Sequence, residues 1–550
     1  MLGGHNFTFA ISIVAGGFYR GFSRPVALGS VMIVVALIAW IILLPENSMV
    51  VLNQAKTYIL TGLKGWFLYC LGALSAMALL VAATPVARRL RLGDDDDRPD
   101  FSTASWLSMM FCCGIGGGIV IYAVAEPMSH FITNPEMIAG TIEPNTEYAA
   151  RTAVKYAFLH WGLSAWACYA ILGLALALFS FRYDLPLTIR TVVAPLMRRR
   201  LAGPIGHAID ILAIVAIVAG VATTLGYGVQ TLSAGLNFLA GGSLVEDAPN
   251  NLPALLTALA LCTVLATGMV VSGVSRGMKW LSNLGTGLFF MIMIFFALHA
   301  DISRLSAIAF GAAGDYVVQF PVLSMQVFND TETETGAALS AWQTEWTIFY
   351  WTWWLAFSPF VGLFIARISR GRTVRQFILG CTLTPCGVCF AWFACTGSAA
   401  LGHELSGINE TLRTLPPSEQ LYAAIAGLNT GVAGQVLAWS ALLLMFILAS
   451  TTLASGVLAI NSIAAAGHEG AKPPQHIIMW SLTIALIIGA LLAAGGTASI
   501  RDVMIIGALP ISLVIALAAI SVAFVLFAEA RQVQPARNSS DRAVAQEDPN

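Results

Sequence analysis

The chain has 550 residues, 57% of them hydrophobic and 10% charged, with a formal net charge of -1. Its mean hydropathy of +0.78 and a charged fraction well under the usual figure of about 25% exclude a soluble globular protein. No basic stripe offers a surface to nucleic acid, and no nucleophile elbow, phosphate loop or His- or carboxylate-rich metal cluster supports an enzyme.

Apolar stretches of about 20 residues recur along almost the whole chain, so the expected fold class is an all-α polytopic membrane protein. Arg20 and Arg24 follow the mildly apolar start instead of preceding it, which argues against a removable signal peptide. Twelve transmembrane helices are expected, near 26–44, 60–83, 103–130, 150–180, 208–238, 252–273, 280–299, 343–368, 375–400, 430–462, 475–495 and 503–528. Residues 1–25 form a cytoplasmic N-terminal segment in this reading, and 26–101 hold two peripheral spans. Residues 102–300 hold spans three to seven. Residues 301–342 form an external loop with a short surface helix, 343–529 hold spans eight to twelve, and 530–550 form a polar, disordered cytoplasmic tail. In 403–428, Pro416-Pro417 opens another short helix. Of the 28 Lys and Arg, 21 fall in the loops of one side. Only Lys56, Lys64, Arg151, Lys155, Arg304, Arg413 and Arg501 fall on the other. The positive-inside rule then puts both termini in the cytoplasm.

Several local features have ordinary explanations. Asp94 to Asp97 beside Arg88–Arg91 reads as a solvated turn, since adjacent carboxylates repel and imply no liganding geometry. Cys386 and Cys389 have redox spacing but lie, like the other seven cysteines, in apolar stretches, where they pack as small soft side chains.

The third span carries Gly114-Ile115-Gly116-Gly117-Gly118, and each of these glycines costs a helix about 1 kcal/mol relative to Ala. Gly114 and Gly118 form a GxxxG pair suited to helix packing, but Gly116 and Gly117 add nothing to such a face. An unwound, substrate-contacting segment accounts for all four. The eighth span holds Trp342, Trp346, Trp351, Trp353 and Trp354, then Ser358-Pro359, where Pro interrupts the helical hydrogen bonds. Broken helices in corresponding places of two halves point to a transporter site. Spans three to seven and eight to twelve would then be two five-helix repeats of opposite topology, a 5+5 arrangement preceded by two extra helices. On the fourth span, Trp161, Trp166 and Tyr169 share one broad face at helical spacing. Indole faces either anchor a helix at the membrane interface or enclose a cation. Two aromatic helices with no Asp or Glu deep in either favour a quaternary ammonium over a primary amine.

These motifs resemble the betaine/choline/carnitine transporter (BCCT) family over about residues 26–528. The resemblance rests on Leu92-Gly93-Asp94 through Pro99-Asp100-Phe101-Ser102-Thr103-Ala104-Ser105-Trp106, on the glycine stretch with Tyr122 to Glu126-Pro127, and on His160-Trp161-Gly162. It continues through Leu185 to Arg190, Gly273 to Asn283, Phe349 to Trp354, Ser358 to Gly362 and Ala366 to Thr373. It implies a leucine-transporter-like fold, a homotrimer in the inner membrane, and import of an onium compound, a glycine-betaine-like zwitterion being favoured. The substrate box carried over by motif is Trp161, Trp166, Tyr169, Trp353, Trp354 and Phe357, with Gly116 and Gly118 beside it and Phe349 gating the outer side. Trp351 points to another face.

Three positions depart from the family pattern. Phe357 stands where Trp is common. Gly118 stands where choline-taking members carry an acid, which favours a zwitterion. Ala449-Ser450 stands where sodium-coupled members have a Thr-Ser pair. A sodium site, if present, would use Cys112, Ile115, Phe446 and Ser450, and Thr451 would substitute only with a register shift. Proton coupling, with His160 and Glu126 as titratable groups, is the alternative. No other cofactor is expected. The competing readings are a proton-coupled choline carrier, a carnitine, trimethylamine-oxide or dimethylsulfonium transporter, and, in a different class, an osmosensory receptor or channel.

Overall fold

The computed structural model describes residues 8–272, 275–329, 332–406, 412–468, 470 and 472–546, with side chains omitted at 111–113, 115, 275–279 and 532–546. Every extended element among these is helical. In lipid this follows from the need to satisfy each backbone N–H and C=O within the segment itself. The long helices are α1 Arg24–Leu43, α2 Pro45–Ala83, α3 Thr103–Ile115, α4 Gly118–Ile132, α5 Glu147–Trp161, α6 Leu163–Ala177, α7 Pro204–Leu239 and α8 Leu252–Val271. They continue with α9 Ser275–His299, α10 Ile302–Leu323, α11 Glu334–Gln343, α12 Phe349–Arg367, α13 Val374–Leu405, α14 Pro417–Leu428, α15 Val432–Ala464 and α16 Pro474–Gln546. Polar caps start many of them, such as the Thr373–Gln376 capping box of α13 and the Asn251 side chain on Ala254 N at α8.

Among the described residues, eleven helical segments are long and apolar enough to cross a membrane, where the sequence predicts twelve. The difference has three sources. The glycine break divides the third span into α3 and α4, each too short to qualify. The α16 segment carries two predicted spans joined at a kink, with Gly496 at φ 65°. And α10, expected as part of a surface segment, is a 22-residue helix of spanning length. The α16 helix also runs on to Gln546, through most of the stretch expected to be a disordered tail.

The eighth span is longer than its sequence boundaries. It begins as α11, passes through a π turn at Thr344–Ile348 and continues as α12. It is not interrupted at Ser358-Pro359 as expected. Pro359 has no N–H for the carbonyl of Leu355, but the Ser358 hydroxyl donates to that carbonyl at 2.7 Å, so the helix stays regular. The fourth span, expected to be one helix, breaks at Gly162 (φ -91°, ψ -142°) into α5 and α6. A single helical wheel through Trp161, Trp166 and Tyr169 therefore does not apply.

The most apolar windows of the α5–α6 and α11–α12 spans are 100% and 94% buried within the protein, whereas those of α1 and α9 are 33% and 22% buried. The two aromatic spans thus form the core of the bundle and the others shield them from lipid. The central pair packs closely because Gly173 of α6 faces α12: a Cβ there would sit 2.7 Å from Ile365 Cδ1. At one end two motif segments distant in the chain pair: Leu92 N donates to Arg372 O and Gly371 N to Leu92 O, each at 2.8 Å. The Arg372 guanidinium covers the Trp106 ring at 4.6 Å, and Trp106 Nε1 donates to Ser369 Oγ. In the adjoining acidic turn, hydrogen bonds from Arg182 and Arg370 hold Asp95 and Asp97 below the usual carboxylate range. A fully buried ion pair, Arg190 Nε to Asp210 Oδ2 at 2.7 Å, fixes the connection between α6 and α7.

Candidate functional site

The glycine stretch breaks its helix at Gly116, whose φ of +54° and ψ of -175° suit only glycine. The glycines on either side serve as seats for aromatic rings. A Cβ on Gly114 would lie 2.4 Å from Trp166 Cζ3, and one on Gly118 would lie 2.6 Å from Trp353 Cη2 and 3.1 Å from Trp161 Cη2. The GxxxG pair therefore receives indoles from the core spans, not the backbone of a second helix.

Around this break the rings converge. Trp353 and Trp354 stack with centroids 5.5 Å apart and planes 6° from parallel. Trp161 meets Trp354 edge-on at 5.0 Å, Tyr169 meets Trp354 at 6.4 Å, and Trp166 meets Tyr169 at 5.7 Å. Hydrogen bonds lock three of the indoles: Trp166 Nε1 to Trp161 O (3.1 Å), Trp354 Nε1 to His160 O (2.9 Å) and Trp161 Nε1 to Glu126 Oε2 (2.7 Å). These bonds fix the orientation of the three indoles around the break. Five of the six expected box rings are thus assembled. The sixth, Phe357, lies beside the break, 3.9 Å from the Cβ position of Gly116, and packs on Gly220 of α7 and edge-on to Phe360 at 5.5 Å. Trp351 is buried elsewhere, with its ring 6.0 Å from that of His160.

Two residues outside the predicted box belong to this cluster. Tyr350 stacks on Trp354 at 5.6 Å and on Trp353 at 6.2 Å. It stands four residues before Trp354, so the spacing that grouped 353, 354 and 357 would have included it. Glu126 brings a carboxylate to the rings from the third span, outside the two aromatic spans in which none is expected. It comes from α4, is 0% exposed, and accepts from Trp161 Nε1 and the Tyr350 hydroxyl through Oε2. Its Oε1 lies 2.7 Å from His160 Nδ1 and 3.4 Å from His130 Nε2, and His160 Nε2 meets Thr347 Oγ1 at 3.1 Å. The sequence showed no group of metal-ligating residues. The structure brings these three within 4.8 Å of one another, but both imidazoles already face the carboxylate.

Phe349 sits one turn above the stacked indoles, 5.3 Å from Trp353, 6.1 Å from Tyr122 and 5.9 Å from Tyr227. The Arg501 guanidinium lies over its ring at 4.9 Å, donates to the carbonyls of Thr344 (3.0 Å) and Glu345 (2.9 Å), and pairs with the Glu345 carboxylate.

The four residues considered for sodium are less coherent. The side chains of Cys112 and Ile115 lie outside the described residues. Phe446 lines an apolar cavity of about 690 Å³ bordered by α7, α8 and α15. The buried Ser450 hydroxyl has no hydrogen-bond partner at standard geometry and sits beside the Cys262 thiol of α8. Thr451 is committed to Ile447 O at 2.9 Å, while Thr452 Oγ1 faces the glycine break, 3.8 Å from the Gly116 Cβ position.

A bundle whose core is two aromatic spans flanking a broken helix is the arrangement expected of a multi-pass membrane transporter. The chain belongs to the betaine/carnitine/choline transporter family, whose profile matches residues 25–531. It is 32% identical over 509 residues to the glycine betaine transporter OpuD of Bacillus subtilis, covering 92% of this chain and 95% of that one. It is also 32% identical over 498 residues to the osmo-independent choline transporter BetT1 of Acinetobacter baylyi, covering 89% and 91%. To the high-affinity choline transport protein of Escherichia coli K12 it is 34% identical over 458 residues, covering 82% and 64%. A sodium-coupled sialic acid symporter superposes with a TM-score of 0.41 at 14% identity, over 78% and 82% of the two chains, too slight a likeness to bear on function. The protein is thus a multi-pass membrane transporter of that family.

Proposed function

We propose that this protein imports a compact methylated onium compound, a glycine-betaine-like zwitterion, by alternating access between its two halves. The observation that carries the reading is the cluster of indoles gathered at the glycine break, three of them with their N–H already bound, since a methylated cation can use aromatic faces but not hydrogen bonds. Trp161, Trp166, Tyr169, Trp353 and Trp354 hold the cation, with Phe357 as a weaker sixth wall. Gly118 adds no negative charge that would repel a substrate carboxylate. The names of the relatives support the onium class and divide between betaine and choline, so a cationic choline carrier is the second reading. Both termini face the cytoplasm, and the protein works as a homotrimer.

Coupling by sodium through Ser450 fits poorly with a hydroxyl beside Cys262. Thr452, facing the break, is the better hydroxyl ligand, and a proton is the other candidate. Tryptophan fluorescence of the purified protein, titrated with choline, glycine betaine and carnitine with and without sodium, tests both points. Saturable quenching strongest for glycine betaine is expected. Tightening by sodium would assign sodium coupling, indifference would favour a proton, and no response to any onium would sink the proposal.

Phe349, pinned under Arg501, acts as the outer gate. Arg501→Ala removes both its cover and its bond to Glu345. In a background with the native cysteines silenced, the variant is expected to speed labelling of a cysteine placed at Tyr227 by a membrane-impermeant thiol reagent. Unchanged labelling would remove Arg501 from the gate.

A further inference from the structure

We propose that Glu126 is the counter-charge of the substrate site: a buried carboxylate behind the box that makes it select a permanently positive onium group over a neutral group of the same shape. The inference rests on the onium reading above and says what, besides aromatic faces, recognises the charge.

Four polar side chains surround the two carboxylate oxygens. Trp161 Nε1 and the Tyr350 hydroxyl meet Oε2, while His160 Nδ1 and His130 Nε2 face Oε1. With each imidazole turned so that an N–H faces Oε1, such a cage supplies four donors and satisfies an ionised carboxylate. Among the described residues, no Lys or Arg forms an ion pair with Glu126; the two histidines meet it through ring nitrogens. The donors also show what the charge acts on. Trp161 and Tyr350 are ring neighbours of Trp354, at 5.0 and 5.6 Å, and Tyr350 stacks on Trp353 as well. A carboxylate accepting from an indole N–H and a phenol O–H pushes electron density into those rings. It thereby strengthens the negative faces that a cation meets. The carboxylate does not touch the cation itself, so a methylated group that offers no hydrogen bond still feels the charge. The field of a buried charge is weakly screened at this depth.

The test compares the charge on the protein with the charge on the ligand. Dissociation constants are measured by tryptophan fluorescence for choline, for glycine betaine, and for the neutral isostere of choline in which carbon replaces the quaternary nitrogen. Glu126→Gln keeps the side-chain shape and removes the charge. It is expected to weaken the onium ligands by about tenfold, the size of effect expected from one weakly screened charge, and to leave the isostere almost unchanged. Glu126→Asp keeps the charge and is expected to retain the wild-type ratio of onium to isostere affinity, even where absolute affinity falls. Equal weakening of onium and isostere in Glu126→Gln, or loss of the ratio in Glu126→Asp, would make Glu126 a purely structural bond and overturn the inference alone. A wild-type protein that binds no onium, or binds the isostere as well, would overturn the onium reading and this inference together.

Discussion

Trp354→Leu is expected to weaken binding of the onium substrate by about 30-fold or more, corresponding to the roughly 2 kcal/mol of a desolvated cation–π contact. Trp354 is the centre of the cluster. Its ring stacks on Trp353 and Tyr350 and takes the edges of Trp161 and Tyr169. Its Nε1 also ties α12 to His160 O across the core. Leu keeps an apolar side chain there but supplies neither face nor donor. Trp439→Leu is the matched control, because Trp439 of α15 is 51% exposed and lines the separate cavity bordered by α7, α8 and α15. Half-saturation of radiolabelled uptake in proteoliposomes reads both variants. If Trp354→Leu saturates at the wild-type concentration, the substrate lies elsewhere.

The second large effect is expected at Gly116. Its φ of +54° with ψ of -175° belongs to a region that residues with a Cβ enter at a cost of about 1–3 kcal/mol. Space is not the obstacle, since a Cβ there would have its nearest neighbours at 3.8–3.9 Å. Gly116→Ala should therefore strain the break without filling the site, and pull the segment towards continuous helix. Uptake, normalised to protein inserted in the membrane, is expected to fall by about tenfold to a hundredfold. Gly62→Ala, in the interior of α2 with nothing near its Cβ position, is expected to transport normally. Wild-type uptake by Gly116→Ala would show that the interruption is dispensable.

The contrast between Gly116 and Pro359 separates what was legible in the chain from what was not. Both read as helix breakers. The glycine run did break its helix, because backbone preference acts locally and nothing nearby restores the lost propensity. Pro359 did not, because the adjacent Ser358 supplied the missing donor to Leu355 O, and which way a serine hydroxyl turns is settled by its surroundings. Gly162 went unread for the converse reason: a single glycine is ordinarily tolerated within an apolar helix. Here Leu163 N, just past the break, donates to the Tyr316 hydroxyl oxygen of α10 at 2.9 Å.

The sequence by itself determined the helical membrane class, the family, and the aromatic residues of the fourth and eighth spans. Those follow from composition, from period and from motifs contiguous in the chain. Only the tertiary structure decided that Glu126 stands behind Trp161 and Tyr350, that Arg501 covers Phe349, and that Ser450 turns to Cys262 while Thr452 faces the glycine break. Glu126 and Tyr350 are 224 residues apart, and hydrogen-bond donors over that separation leave no spacing to read. A buried carboxylate takes its partners from whichever helices pack around it, and in this protein that choice is made by the meeting of α4, α5 and α12.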